Sequence, residues 1–279
     1  MFKFLKHRIV NILEKIPLIQ VFIYNNLQHF KFLLPHDKDY YALNLLFKKN
    51  ETRSFLDVGG NIGLSTIGFR ELGYDKNEIY VFEPDYYLYK KYLKSLKKNY
   101  KNVNVFNFGL SNRSEKRYLF QAYHKKLFLH FNNSFNLKFI KKKIKDNYPD
   151  KYQKFNIQKK KFNLRRFDQL NIKKKVCFVK IDVEGFDHLV LMGMKKLISQ
   201  NFPIFLIEFN VSNFKIIFNL LKKKYDCFIY LFEKNQLKKL NRPDIKKLFR
   251  NKTIDLKYSK NSFNIFFIPN DYNFNNREN

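Results

Sequence analysis

Three short segments carry residues whose types and spacing suit ligand chemistry. Phe55–Leu64 reads FLDVGGNIGL, an apolar run with a carboxylate at Asp57, followed by Gly59, Gly60, Asn61 and Gly63. Glycine at a strand-to-helix turn allows close backbone approach and dihedrals that other residues avoid. The dinucleotide pattern GxGxxG is not met, because Val58 stands where its first glycine would be. A carboxylate before the glycines suits the ammonium, or a bound water, of S-adenosylmethionine better than an anionic pyrophosphate. Glu83 closes the next apolar run and precedes Pro84. An acid at that place can accept hydrogen bonds from both hydroxyls of a ribose.

The third segment, Val179–Gly185, reads VKIDVEG. Charges at the end of a buried apolar run are costly unless paired or employed. Asp182 and Glu184 alternate with Ile181 and Val183, so both carboxylates would point one way if the strand continued. Either could orient or deprotonate a substrate hydroxyl, which is general-base work. Lys180 could pair with a carboxylate or contact the acceptor. Glu208, closing the run FPIFLIEF, is a second-tier acceptor-side candidate. His188 reads as a surface or capping residue, and His124 and His130 as structural or solvated. No metal-ligand constellation stands out, since two carboxylates alone do not make a site.

The elements that must position these groups follow from periodicity. From Ser54 onward, short apolar runs alternate with helix-length amphipathic segments, the pattern of a parallel sheet wrapped by helices. Strands are predicted at Ser54–Val58, Glu78–Phe82, Val103–Phe108, Val176–Ile181, Ile204–Glu208, Cys227–Phe232 and Phe263–Ile268. Helices are predicted near Gly63–Leu72, Tyr86–Asn99, Asp187–Ser199 and Asn213–Lys224. Residues 1–50 read as a helical extension, with a second helix over Asp39–Lys49. Residues 51–270 form the main domain, and 271–279 a polar tail. Within the main domain, 122–161 holds two Lys-rich runs without a clear period. It reads as an insertion or lid, partly helical around Phe139–Asp146. Residues 233–260, broken by Pro243, look similar.

Composition bounds the remaining choices. The formal charge is +31, which invites a nucleic-acid reading, but only 10 of the 55 basic residues are Arg. Lysine lacks the planar, bidentate fork that suits phosphates and bases, and Lys, Asn, Ile and Phe are enriched together as an AT-rich genome would produce. Nucleic acid is therefore not the expected partner. Cys177 and Cys227 sit in apolar runs without a CxxC pair, which fits buried thiols in a reducing cytosol. The stretch Ile9–Ile23 is too polar to span a membrane and lacks a signal-peptide cleavage site. It reads as an amphipathic helix that packs on the domain, with peripheral membrane contact as the minority reading.

Taken together, the motifs resemble the FkbM family of methyltransferases. Asp57–Gly63 matches its DVGANxG-type loop, Phe82–Asp85 its FEPxP-type segment, and Gly109-Leu110-Ser111 its ALS-type turn. Arg166-Phe167-Asp168, Lys180–Gly185, Val190–Gly193 and Pro203–Glu208 match further family segments. The chain departs at Gly60 (usually Ala), at Tyr86, where a second proline is usual, and at Phe186-Asp187 in place of Ala-Glu. The Phe186 change bears on acceptor shape.

The resemblance implies a class I, Rossmann-like seven-stranded sheet with helices on both faces, its last strand antiparallel. It implies S-adenosylmethionine as cofactor, held by Asp57, Gly59, Gly60, Asn61, Gly63, Glu83, Pro84, Leu110 and Ser111. It also implies O-methylation of a hydroxyl on a sugar, glycan or small metabolite in the cytoplasm, in cell-surface polysaccharide synthesis, with Asp182, Glu184 and Lys180 on the catalytic side. An RNA methyltransferase and a non-catalytic protein keeping the fold are the competing readings. Neither the acceptor nor the oligomeric state is legible.

Overall fold

The structure is a computed structural model that describes residues 35–124, 127–147, 149–249 and 264–274. The expected helix over Ile9–Ile23 lies outside the described residues. So do residues 250–263 and the end of the tail, 275–279.

The strands are β1 (Ser54–Val58), β2 (Ile79–Phe82), β3 (Val103–Phe106), β4 (Gly109–Ser111), β5 (Glu115–His124), β6 (Leu127–Ser134), β7 (Phe155–Arg166), β8 (Val176–Ile181), β9 (Ile204–Glu208), β10 (Tyr225–Leu231), β11 (Gln236–Lys239) and β12 (Asn264–Pro269). The helices used below are α1 (Leu64–Glu71), α2 (residues 86–99, with a π-helical middle), α3 (Leu137–Asn147), α4 (Asp187–Met192), α5 (Lys195–Asn201), α6 (Val211–Leu221) and α7 (Arg242–Phe249).

The main sheet runs β11-β10-β12-β9-β8-β1-β2-β3. Strands β3, β2, β1, β8 and β9 are mutually parallel, and β12 lies antiparallel between β9 and β10. Central parallel strands are covered on both faces, so their sequences are continuous apolar runs instead of alternating ones. β1 and β8 accordingly bury every residue. One face packs Phe55 and Phe178 against Phe69 of α1 and Phe47. The other packs Leu56, Val179 and Phe205 against α4, α5 and α6.

Strand order turns back at β1, with β2 on one side and β8 on the other. That switch opens a crevice at the carboxyl ends of these strands.

The sheet has eight strands, not the seven expected. β11 folds back on β10 as an edge hairpin through Asn235, which adopts φ 47°. Its sequence QLKK is polar because an edge strand is half-solvated, so no apolar run announces it. The predicted helix over Asp187–Ser199 is two helices. They break at Gly193, where a Cβ would lie 2.1 Å from the Ser111 carbonyl oxygen. The predicted helix over Asp39–Lys49 is two short turns, Lys38–Ala42 and Leu43–Leu46.

A second sheet, β4-β7-β5-β6, accounts for most of the region read as a lid. α3 falls where the helical segment was expected. The strands flanking it were not foreseen, and they reach from Gly109 to Arg166. α3 packs Ile140 and Ile144 on Ala122, with Phe120, Phe155 and Ile157 around them.

Phe178 touches the rings of Phe47, Phe55 and Phe69 and is wholly buried. Phe178→Ala is expected to lower the unfolding free energy by about 3–5 kcal/mol, read as a fall in the urea midpoint with the slope unchanged.

Candidate active site

The site begins with two charges in the middle of the core. Asp57 and Lys180 are register partners on neighbouring parallel strands, and both side chains are buried. Lys180 Nζ lies 3.7 Å from Asp57 Oδ1, 3.2 Å from Asp182 Oδ2 and 3.4 Å from the Gly59 carbonyl oxygen. The Thr66 hydroxyl of α1 donates to Asp57 Oδ2 at 2.8 Å. Burial works against the Lys180 ammonium, yet Asp182, Tyr40 and Asp57 outweigh it and hold its pKa above the ordinary lysine value. Burial likewise pushes the Asp57 carboxyl up, opposed by Lys180 and by Thr66.

From this pair the β1–α1 turn is laid across its neighbours. Gly59 and Gly60 both donate to the Phe82 carbonyl, at 3.0 and 3.1 Å, and Asp182 N donates to Val58 O at 3.0 Å. Gly59 adopts φ 85°, and a Cβ on it would sit 2.0 Å from the Asp182 carbonyl oxygen. Only glycine lets the turns after β1 and β8 meet.

Glu83 stands at the end of β2, 7% exposed. Asn61 N donates to its Oε2 at 2.8 Å and Asp85 N to its Oε1 at 2.9 Å. Each carboxylate oxygen therefore holds one backbone N–H and keeps acceptor capacity for another donor. Burial raises the Glu83 pKa to about 7, against the two backbone donors.

These groups open into a cavity of about 350 Å³. Its lining includes Gly59, Gly60, Asn61, Glu83, Pro84, Leu110, Ser111, Lys180, Asp182 and Glu184. Asp57 and Gly63 are not in that lining. Asp57 lies behind the wall as partner to Lys180 and Thr66. Gly63 starts α1 against Leu93 and Leu96, where a Cβ would come within 2.4 Å of Leu96. β8 ends at Ile181, and the chain turns through Glu184 (φ 55°) and Gly185 (φ 91°). The premise of a continuing strand therefore does not hold, although both carboxylates line the cavity. Glu208 lines it too.

Sequence reasoning did not find the rest of the wall. His36 comes from the segment before β1, Ser65 from α1, and Leu119, Asn133, Phe135 and Leu164 from the small sheet and the turn after β6. The small sheet is tied to the site by Gln121, which donates to Asp85 at the start of α2. Phe186 lines the cavity with its ring 4.1 Å from Phe135, centre to centre, and Arg117 stacks on it at 4.8 Å. Asp187 is buried beside it. It accepts from Val183 N and Asn213 Nδ2, and burial with nearby Asp182 raises its pKa to about 6. No group of three candidate metal ligands occurs among the described residues.

A mostly parallel sheet with one antiparallel insertion, a glycine turn after its first strand and an acid after its second define a Rossmann-like α/β protein of the methyltransferase type. The family described as "Methyltransferase FkbM domain" matches residues 57–227, and the chain belongs to that family. A crystal structure of Methyltransferase FkbM from Methylobacillus flagellatus KT is similar at 14% identity and a TM-score of 0.47. The similarity covers 94% of this chain and 58% of that one, so this chain spans less than two thirds of that protein. No curated protein sequence matches the chain significantly.

Two outcomes follow. Lys180→Met strands Asp57 in the core and should cost about 3–5 kcal/mol of stability. Chemical unfolding should also show Asp57→Asn/Lys180→Met recovering part of that loss. For Glu83, the folded protein keeps a proton up to about pH 7, while the unfolded chain releases it near the usual 4.5. Stability of the ligand-free protein should therefore fall as pH rises through that window. Affinity for a ribose-bearing ligand should rise over it, because only the ionised carboxylate accepts from two hydroxyls. Calorimetric titrations at several pH values should show this dependence flattened in Glu83→Gln.

Proposed function

We propose that the protein is an S-adenosylmethionine-dependent O-methyltransferase. Its acceptor is a hydroxyl of a sugar, glycan or small metabolite in cell-surface polysaccharide synthesis. The observation that carries this is the charge of the cavity. The chain as a whole is +31, yet Glu83, Asp182, Glu184 and Glu208 line the cavity against the single cation Lys180, among the described residues. An acidic, low-dielectric pocket favours a cationic donor and repels phosphates. That argues against a dinucleotide and against RNA entering the site.

The residues fit such a donor. Glu83, with one acceptor position left on each oxygen, suits the two ribose hydroxyls, and the Gly59–Asn61 turn exposes backbone beside it. When bound, the donor would supply an electrophilic methyl group on a sulfonium. The protein's part is placement and proton handling. Holding a hydroxyl oxygen in line with an electrophile supplies much of the acceleration in such transfers. Asp182, fixed by Lys180, is the group assigned to orient the acceptor hydroxyl and take its proton, with Glu184 in support. The small sheet serves as the cover that keeps water from the reacting groups.

Asp182→Asn should lower methyl transfer by about 10²–10⁴-fold while calorimetric binding of S-adenosylmethionine persists. Labelled methyl transfer into a cell-envelope glycan fraction is the activity measurement. Failure of the wild-type protein to bind S-adenosylmethionine would sink the proposal.

A further inference from the structure

We propose that the outer face of the small sheet is a docking surface for an anionic membrane. Residues 109–166 carry 17 Lys and Arg against three acids, a net of +14, so about a fifth of the chain holds nearly half of its +31. Genome composition spreads lysine along a chain and does not concentrate it on one element.

The fold places part of this charge on the face turned away from the cavity, while Arg117 and Lys160 lie on the cavity side. In the β5–β7 pairing, Tyr118 faces Lys161, and Phe120 faces Lys159, so these side chains share a face with Lys116 and Ala122. α3 covers the Ala122 half of that face. The other half is open to solvent, with Lys116, Lys159 and Lys161 exposed and Tyr118 45% exposed. Lys159 lies 4.1 Å and Lys161 5.7 Å from the centre of the Tyr118 ring. None of the three lysines forms an ion pair with an acid among the described residues. On α3, Lys141 and Lys142 are also exposed.

The chemistry favours a headgroup layer over a nucleic acid chain. The face is a pleated sheet, not a groove. Three of its charges are compact ammonium groups without the forked geometry that reads phosphodiesters and bases, and the guanidinium of Arg165, further along β7, is stacked on the Phe108 ring at 4.4 Å. Its exposed aromatic is tyrosine, whose apolar ring and polar hydroxyl suit a membrane–water interface. Lysines near an anionic leaflet each add roughly fivefold to affinity, and the attraction fades with salt. This surface is separate from the cavity, so the inference does not depend on the proposed methyl transfer.

The full chain should co-sediment with vesicles of phosphatidylcholine plus phosphatidylglycerol at low salt, and not with phosphatidylcholine alone. Lys116→Gln/Lys159→Gln/Lys161→Gln should weaken that binding by about a hundredfold, with the thermal midpoint unchanged. Lys195→Gln/Lys222→Gln/Lys223→Gln, on the large domain, should weaken it far less. The inference is overturned if both triple variants lose binding equally, if neutral vesicles bind as well, or if duplex RNA competes at lower concentration than anionic vesicles.

Discussion

An ammonium and a carboxylate facing each other across two buried strands is the constraint on which the rest of the structure depends. Removing both charges from water is expensive, and their attraction offsets this only when further donors and acceptors surround them. Thr66 supplies one partner to Asp57, and Asp182 and the Gly59 carbonyl supply two to Lys180. Those partners come from α1, from the turn after β8 and from the turn after β1. Satisfying the pair therefore brings together the segments that form the cavity. A buried pair of this kind adds little net stability compared with apolar residues, so its value lies in the geometry it enforces.

The cavity is a joint product of two sheets that contribute different side chains to it. The main sheet contributes carboxylates at strand ends, and the small sheet contributes apolar and amide side chains on its inner face. Phe135 and Phe186 meet where the two come together, backed by Arg117. The small sheet's outer face is strongly basic. No described helix is long and apolar enough to cross a membrane.

How much could be read beforehand varied with burial. β1, β8 and β9 match their predicted limits because strands covered on both faces must be apolar throughout, which marks them sharply in the sequence. β5 and β7 went unseen. Lysines 159 to 161 interrupt the alternation of β7, and their long stems let the charge reach solvent while the strand stays paired. A closer reading of Phe155 and Ile157 as apolar positions on one face, and of Phe162 and Leu164 on the other, could have found it. Polar β11 offered no such signal.

The sequence by itself determined the glycine turn, the acid after β2, the charged end of β8 and the family to which they belong. Those features are local: each depends on a residue type at a fixed distance from an apolar run. Only the tertiary structure decided which charges meet. It put Asp57 behind the cavity as a structural partner, turned the chain at Glu184 instead of extending the strand, and brought Leu119, Asn133, Phe135 and Leu164 to the cavity wall. The physical reason is that strand order and register set these neighbours, and both arise from packing between segments more than a hundred residues apart, as Asp57 and Lys180 are.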